Sequence, residues 1–333
     1  VTDFAGIYRS CKRSQALGKG LKAVQENLQR MGLEYVSVVD AKISAFHTVD
    51  GYKLTTLEGT AFFPSQPLAS VNSGVAWMRA SFAEADIVVP PYYQMGFLHA
   101  NAGKIFKATT HAEKMSLGSE MLCYMYPADG MAELISGVWA KRRTFDEFHA
   151  QLVEATKAYC LGLYGVAITG LLPCIEGVVR QLGVLSGVPV EDSVSIRVLT
   201  KVFRKLQRKE LVMMLDGYDW YPESEITVSY LDGFHERVQM FESISSYLES
   251  KLYLHTDSAP EYLTLNRHGI AHGLFKGYAT KENYLRLFNL LSALSFAAAM
   301  AEGRGSLMHP GSTVESAELT ASLKKCEAVS SLI

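Results

Sequence analysis

From Ala158 to Ile175 the chain runs for 18 residues without a charged side chain. Such a run is either a short membrane span or a helix buried in a protein core. Gly162, Gly165, Gly170 and Pro173 interrupt it, with Tyr159, Tyr164 and Thr169 among them. That mixture favours a buried core helix, broken near Gly170, over membrane insertion. A core helix needs a chain large enough to surround it. With 333 residues, 48% of them hydrophobic, this chain qualifies, and its length suggests two domains.

The sequence beyond residue 140 is dominated by helical signals. Lys141-Arg142-Arg143 leads into Thr144-Phe145-Asp146-Glu147, the pattern of a capping box in which Thr144 and Glu147 each satisfy the other's backbone donor. Phe145, Phe148, Leu152, Ala155 and Tyr159 then recur at helical spacing. Further helices are expected over 171–182, with Pro173 in the first turn, and over about 193–210, 225–253 and 280–301. Residues 141–305 thus read as an all-α helical bundle, with 306–333 as a C-terminal tail.

The first 140 residues read differently. Ala16–Met31 has the pattern of a helix and Glu34–Val39 that of a strand, while Thr55–Phe63 alternates loosely. Pro-rich connections follow at 63–67 and 89–93. Asn101-Ala102-Gly103-Lys104 lacks the earlier glycine of a phosphate-cradling loop, and no strand, Gly-rich turn and helix follow one another. This part is expected to be a mixed α/β domain of unknown role, a sensor or regulatory element. The expected class is α+β overall: a mixed domain followed by the bundle.

Charge and cysteine usage exclude several functions. A net charge of −2 rules out a generally basic nucleic-acid coat, so any RNA contact must be local. The five cysteines, Cys11, Cys123, Cys160, Cys174 and Cys326, form no CxxC pair, which argues against zinc-finger and thioredoxin chemistry and against a disulfide framework. No leader-like segment opens the chain, and a cytoplasmic location is expected.

The stretch with the most chemical potential is Asn266-Arg267-His268-Gly269-Ile270-Ala271-His272-Gly273. Asn266 is a good N-cap, and a helix start carrying arginine and histidine suits phosphate. On a regular helix His268 and His272 lie about 40° apart, whereas Arg267 is about 140° from His272. Convergence of Arg267 and His272 would need a distorted turn, the full reach of arginine, or a second copy of the helix across a twofold axis. Imidazole transfers protons near neutral pH, and guanidinium braces the charge of a pentavalent phosphorus. Gly269 and Gly273 would leave a bare strip for close approach. The plainer use of these residues is structural, with Arg267 pairing a carboxylate and both histidines packed. Metal binding by the two histidines would need a third ligand and sits poorly beside arginine.

Arg267-His268-Gly269-Ile270-Ala271-His272 resembles the R-x4-H signature of HEPN domains, including the frequent histidine directly after the arginine. Leu172 to Arg180 resembles the helix that packs against the motif in that family, and 280–294 its following helix. The resemblance covers about residues 144–302. It implies a metal-independent endoribonuclease acting at a groove between two HEPN domains, with the RNA's 2′-hydroxyl as nucleophile and a 2′,3′-cyclic phosphate as product. It assigns His272 as general acid or base, Arg267 as charge stabiliser, His268 and Asn266 as positioning groups, and Glu176 and Arg180 as supporting residues. Leu274 stands where toxin members often carry a tyrosine, so control by a nucleotidyltransferase antitoxin is not implied.

Arg197, Lys201, Arg204, Lys205, Arg208 and Lys209 form one stripe on a helix opposite Leu199, Val202, Phe203 and Leu206. The stripe could track an RNA backbone, or be an ordinary solvated face. The resulting expectation is an RNA-cutting homodimer in phage defence or a toxin system, needing no cofactor and no metal and taking a regulatory partner. The alternatives are a catalytically silent module for dimerisation or partner binding, and a nucleotide- or metal-binding regulator.

Overall fold

The computed structural model describes residues 2–43, 48–69, 74–188, 196–260, 263–303 and 308–330, with the side chains of 196–198 outside that description. The chain opens with α1 (Phe4–Arg13), α2 (Ala16–Lys19), α3 (Leu21–Arg30), β1 (Ser37–Ile43), β2 (Val49–Thr55) and β3 (Thr60–Pro64). It continues with α4 (Gly74–Ala83), α5 (Met95–Lys107), α6 (His111–Met125), α7 (Ala128–Gly137), α8 (His149–Cys160), α9 (Tyr164–Leu185) and α10 (Ile196–Met214). It ends with α11 (Val228–Asp232), α12 (Glu236–Tyr247), α13 (Arg267–Ala271), α14 (Lys281–Ala301) and α15 (Val314–Ser330). A mostly helical chain with one small sheet is α+β, as the sequence suggests.

Two compact units divide the chain: Val1–Ala76 with Gln207–Gln239, and Trp77–Leu206 with Met240–Ile333. The division does not fall at the expected boundary near residue 140. In the smaller unit β1, β2 and β3 form an antiparallel meander, with Ser37 opposite Thr55 and Thr55 opposite Thr60. Side chains alternate across a strand, so Phe62 and Phe63 enter different cores. Phe63 joins Val38, Tyr52 and Leu54 with Tyr8, Leu17, Val24 and Leu28. Phe62 joins Ile43 and Val49 with Leu211, Leu215, Ile226, Leu231 and Phe234. The second face is therefore covered by residues from far along the chain. Local periodicity cannot show that pairing of distant segments.

Details of this unit also differ from expectation. The single helix expected over 16–31 is broken by Gly20, whose φ of 97° is a left-handed value that favours glycine. The strand expected at 34–39 starts at Ser37 and extends to Ile43.

The larger unit is built on α14, in which every residue from Asn283 to Met300 is buried. Its buried polar groups are matched: Asn289 donates to the Val88 carbonyl (2.7 Å) and accepts from the Tyr126 hydroxyl (2.6 Å), and Arg286 donates to Ser119 (3.1 Å). Such matching is what allows polar atoms inside a core. Helices α9 and α14 are each long and apolar enough to cross a membrane, but the most apolar window of α14 is 94% buried within the protein. The structure is compatible with a soluble protein.

The uncharged run breaks at Gly162 (φ 77°), between α8 and α9, and not at Gly170. Helix α9 continues through Pro173, with the nearby Gly170 carbonyl accepting from Gln151 on α8 (2.9 Å). The expected capping box at Thr144 is absent. Residues Arg143–Phe148 form 3₁₀ turns, Phe145 packs on Trp139 with ring centroids 5.6 Å apart, and the Thr144 hydroxyl is buried without a partner among the described residues. Packing of Phe145 outweighs the local cap preference here. The helix expected over 225–253 is divided into α11 and α12, with Gly233 at the break and a π turn at Leu248–Leu252. The expected tail contains α15, which packs on α7 and α8 and fully buries Leu323.

Candidate functional site

Helix α13 is only five residues long, and its shape is set by the residues at its ends. The Asn266 side-chain oxygen accepts from the Gly269 N–H (2.9 Å). Its amide nitrogen donates to the carbonyls of Lys251 (3.1 Å) and Leu254 (2.8 Å). Asn266 is fully buried, so any positioning it provides acts through the helix it holds. Its role is to cap α13 and tie it to the preceding turn. At the other end Gly273 has a φ of 68°, and the Leu274 and Phe275 N–H groups both donate to the Gly269 carbonyl (2.8 and 3.0 Å). The Phe275 ring lies on Gly269, where a Cβ would come within 2.6 Å of it. The expected bare glycine strip is thus covered at Gly269 by the chain itself.

Arg267 is half-buried and points to α9. One of its terminal nitrogens lies 3.3 Å from Glu176 Oε2, and the other lies 3.5 Å from His268 Nδ1. Glu176 also faces Arg180, one turn on, at 3.8 Å, and its charge acts on the buried Tyr253 hydroxyl. Burial, and then the negative charge of Glu176, hold the Tyr253 proton firmly in place.

His268 and His272 lie one turn apart with parallel rings, their centroids separated by 6.3 Å. His272 is exposed and His268 half-buried. Burial first, then the charges of Arg267, His272 and His255, lower the pKa of His268, opposed by Glu176. His268 is therefore biased towards the neutral form, able to accept a proton.

Beside α13 is an open cleft of about 550 Å³. Arg267, Glu176 and Arg180 line it, together with Phe148, Pro173 and Gln181, whereas His268 and His272 are not part of its wall. Arginine and histidine of the motif thus serve different surfaces, in keeping with their wide angular separation on a helix. Among the described residues, no group of three or more His, Cys, Asp or Glu side chains is placed to hold a metal.

On α10, Lys201, Arg204, Lys205, Arg208 and Lys209 are exposed, and Leu199, Val202, Phe203 and Leu206 are buried. The Arg197 side chain lies outside the described residues. Lys205 donates to the Gly187 carbonyl (3.1 Å). The unit boundary at residue 206 divides the stripe, leaving Lys201, Arg204 and Lys205 in the larger unit.

Two contributors to the site escaped the sequence reading. Tyr253 carries no local signal, since only the fold brings it to Glu176. Phe148 has the spacing of a core residue, yet it lines the cleft. No protein-family model, curated protein or solved structure matches this chain.

Proposed function

We propose that the larger unit is a HEPN-type endoribonuclease that cuts RNA without a metal. The observation that carries this reading is the arrangement of α13. An exposed imidazole and a half-buried, neutral-leaning one stand parallel beside a guanidinium anchored at the rim of an open cleft.

In this mechanism the RNA 2′-oxygen attacks the adjacent phosphorus as an imidazole removes its proton. The bond from phosphorus to the 5′-oxygen breaks, and that oxygen leaves with a proton from an acid. The products are a 2′,3′-cyclic phosphate and a 5′-hydroxyl end. His272, being exposed, exchanges the proton, Arg267 offsets the charge that builds on phosphorus, and His268 positions the phosphate. The base and the acid must stand on opposite sides of the phosphorus, so a homodimer supplies the second imidazole from another α13. Lys201, Arg204 and Lys205 would hold the RNA backbone. Such an enzyme fits a cytoplasmic role in phage defence or a toxin system, with a regulatory partner.

Purified protein is expected to cut RNA in EDTA, leaving cyclic-phosphate ends, with the activity lost in Arg267→Ala and in His272→Ala. Cleavage that disappears with EDTA, or survives in both variants, overturns the mechanism. A second reading is a silent module that dimerises or binds a partner without cutting. The pairing of Arg267 with Glu176 favours it, because a guanidinium already neutralised has less to offer a phosphate. A stable dimer that cuts no RNA would decide for that module.

A further inference from the structure

We infer that the cleft beside Arg267 is a nucleobase pocket, which seats a base against Phe148 and Pro173 with its phosphate towards Arg267. The inference rests on the RNA reading only for the molecule to which that nucleotide belongs.

The argument begins at Gly177. A Cβ there would lie 2.1 Å from the Phe148 ring, so the ring is packed directly on the α9 backbone. Phe148 is also part of the cleft wall. Packing on Gly177 fixes the ring, and an immobilised ring costs little further entropy when a flat ligand settles on it. Pro173, exposed on the outer side of α9, adds a second rigid apolar surface.

The rest of the wall is polar in a way that suits the edge of a base. Gln181 offers both a donor and an acceptor, Glu147 an acceptor, and Arg180 further donors. Arg180 Nε is buried and has no hydrogen-bond partner among the described residues. Its terminal nitrogen reaches Glu176 only at 3.8 Å, so this arginine has donor capacity left over. A simple anion would use Arg180 and Arg267 but meet Glu147 and Glu176, and would leave the apolar wall wet. A purely apolar ligand would leave the polar groups unpaired. A flat heterocycle carrying a phosphate satisfies both walls, and a cleft of about 550 Å³ can admit one.

The test uses the full chain and three probes, 3′-GMP, 3′-UMP and ribose 5-phosphate, with binding followed by calorimetry. The nucleotides are expected to bind at least about fivefold more tightly than ribose 5-phosphate, the low end of what base stacking on an aromatic ring provides. Phe148→Ala should remove that advantage. Thr169→Phe, which fills the cleft from an exposed position on α9, should do so without touching the core. Equal binding of all three probes, no binding of any, or nucleotide binding unaffected by Thr169→Phe would overturn the pocket. The ribonuclease reading fails separately. Nucleotide binding in the cleft without RNA cleavage would sink that reading and keep the pocket, whereas EDTA-resistant cleavage with no preference for the base-bearing probes would do the reverse.

Discussion

Each unit contains a glutamate at the centre of a polar cluster, and the two clusters are filled to different degrees. In the smaller unit Glu225 accepts from Tyr8 (2.9 Å), Lys12 (2.7 Å) and Gln66 (2.7 Å), and Gln66 donates to Tyr8 as well (2.9 Å). Partial burial pushes the Glu225 carboxyl up, but the hydrogen bonds and the Lys12 charge more than offset this and lower its pKa. In the larger unit Glu176 meets Arg267 and Arg180 at 3.3 and 3.8 Å on the wall of an open cleft, and Arg180 Nε has no partner among the described residues. A saturated network fixes a fold, whereas one with capacity left over can still take a ligand. That contrast is the physical reason to place chemistry in the larger unit and scaffolding at Glu225.

The largest expected effects test that assignment directly. If the larger unit is the nuclease, Arg267→Ala and His272→Ala should each lower RNA cleavage about 10²- to 10⁴-fold, the range for a lost proton carrier or charge stabiliser. Glu225→Ala should leave the rate per folded molecule unchanged. A similar loss of specific activity in Glu225→Ala would break the contrast. Next in size is Asn266→Ala, which removes a cap and strands two carbonyl groups that now accept from a buried amide. We expect a loss of about 2–4 kcal/mol in urea unfolding. The exposed His272→Ala should cost under about 0.5 kcal/mol. Equal costs would mean that Asn266 does not tie α13 in place. Glu225→Ala should come third, at about 1–2 kcal/mol, since its cluster is partly exposed.

Much of the larger unit was legible because helical periodicity is a local signal. The buried face of α10 and the helix expected over 280–301, found as α14, follow from spacing alone. The N-cap role of Asn266 could also be read, but its two further bonds could not, because Lys251 and Leu254 are brought there by a π turn that no pattern announces. The same limit hid the second face of the sheet, whose covering side chains lie between Leu211 and Val238. At the site, the angular separation of Arg267 and His272 was readable from helix geometry. The cleft was not, because Phe148 enters it only through the 3₁₀ turns that replace the expected capping box.

The smallest expected effect compares two histidines, one in each unit. Both have lowered pKa values, but His268 stands half-buried beside a charged site, whereas His235 sits within the smaller unit and is pushed down to about 4, by burial first and then by Arg237. The Val238 N–H points at His235 Nδ1 (3.5 Å), which suits an unprotonated nitrogen there. In the unfolded chain this residue takes its proton near pH 6.5. Below that pH the unfolded state binds a proton that the folded state refuses, so stability falls as pH drops towards 4 and levels off beneath it. Glu225 acts in a lower window, because its folded pKa is depressed: its contribution is present above the usual carboxylate range and disappears as pH falls through the folded value. The decline between pH 7 and 5 thus belongs to His235 and should be about 1 kcal/mol, allowing for its partial exposure. Hydrogen exchange of the β2 amides at pH 7, 6 and 5 measures it within the smaller unit. His235→Gln should flatten the decline, and an unchanged pH slope in that variant would show that another group sets it.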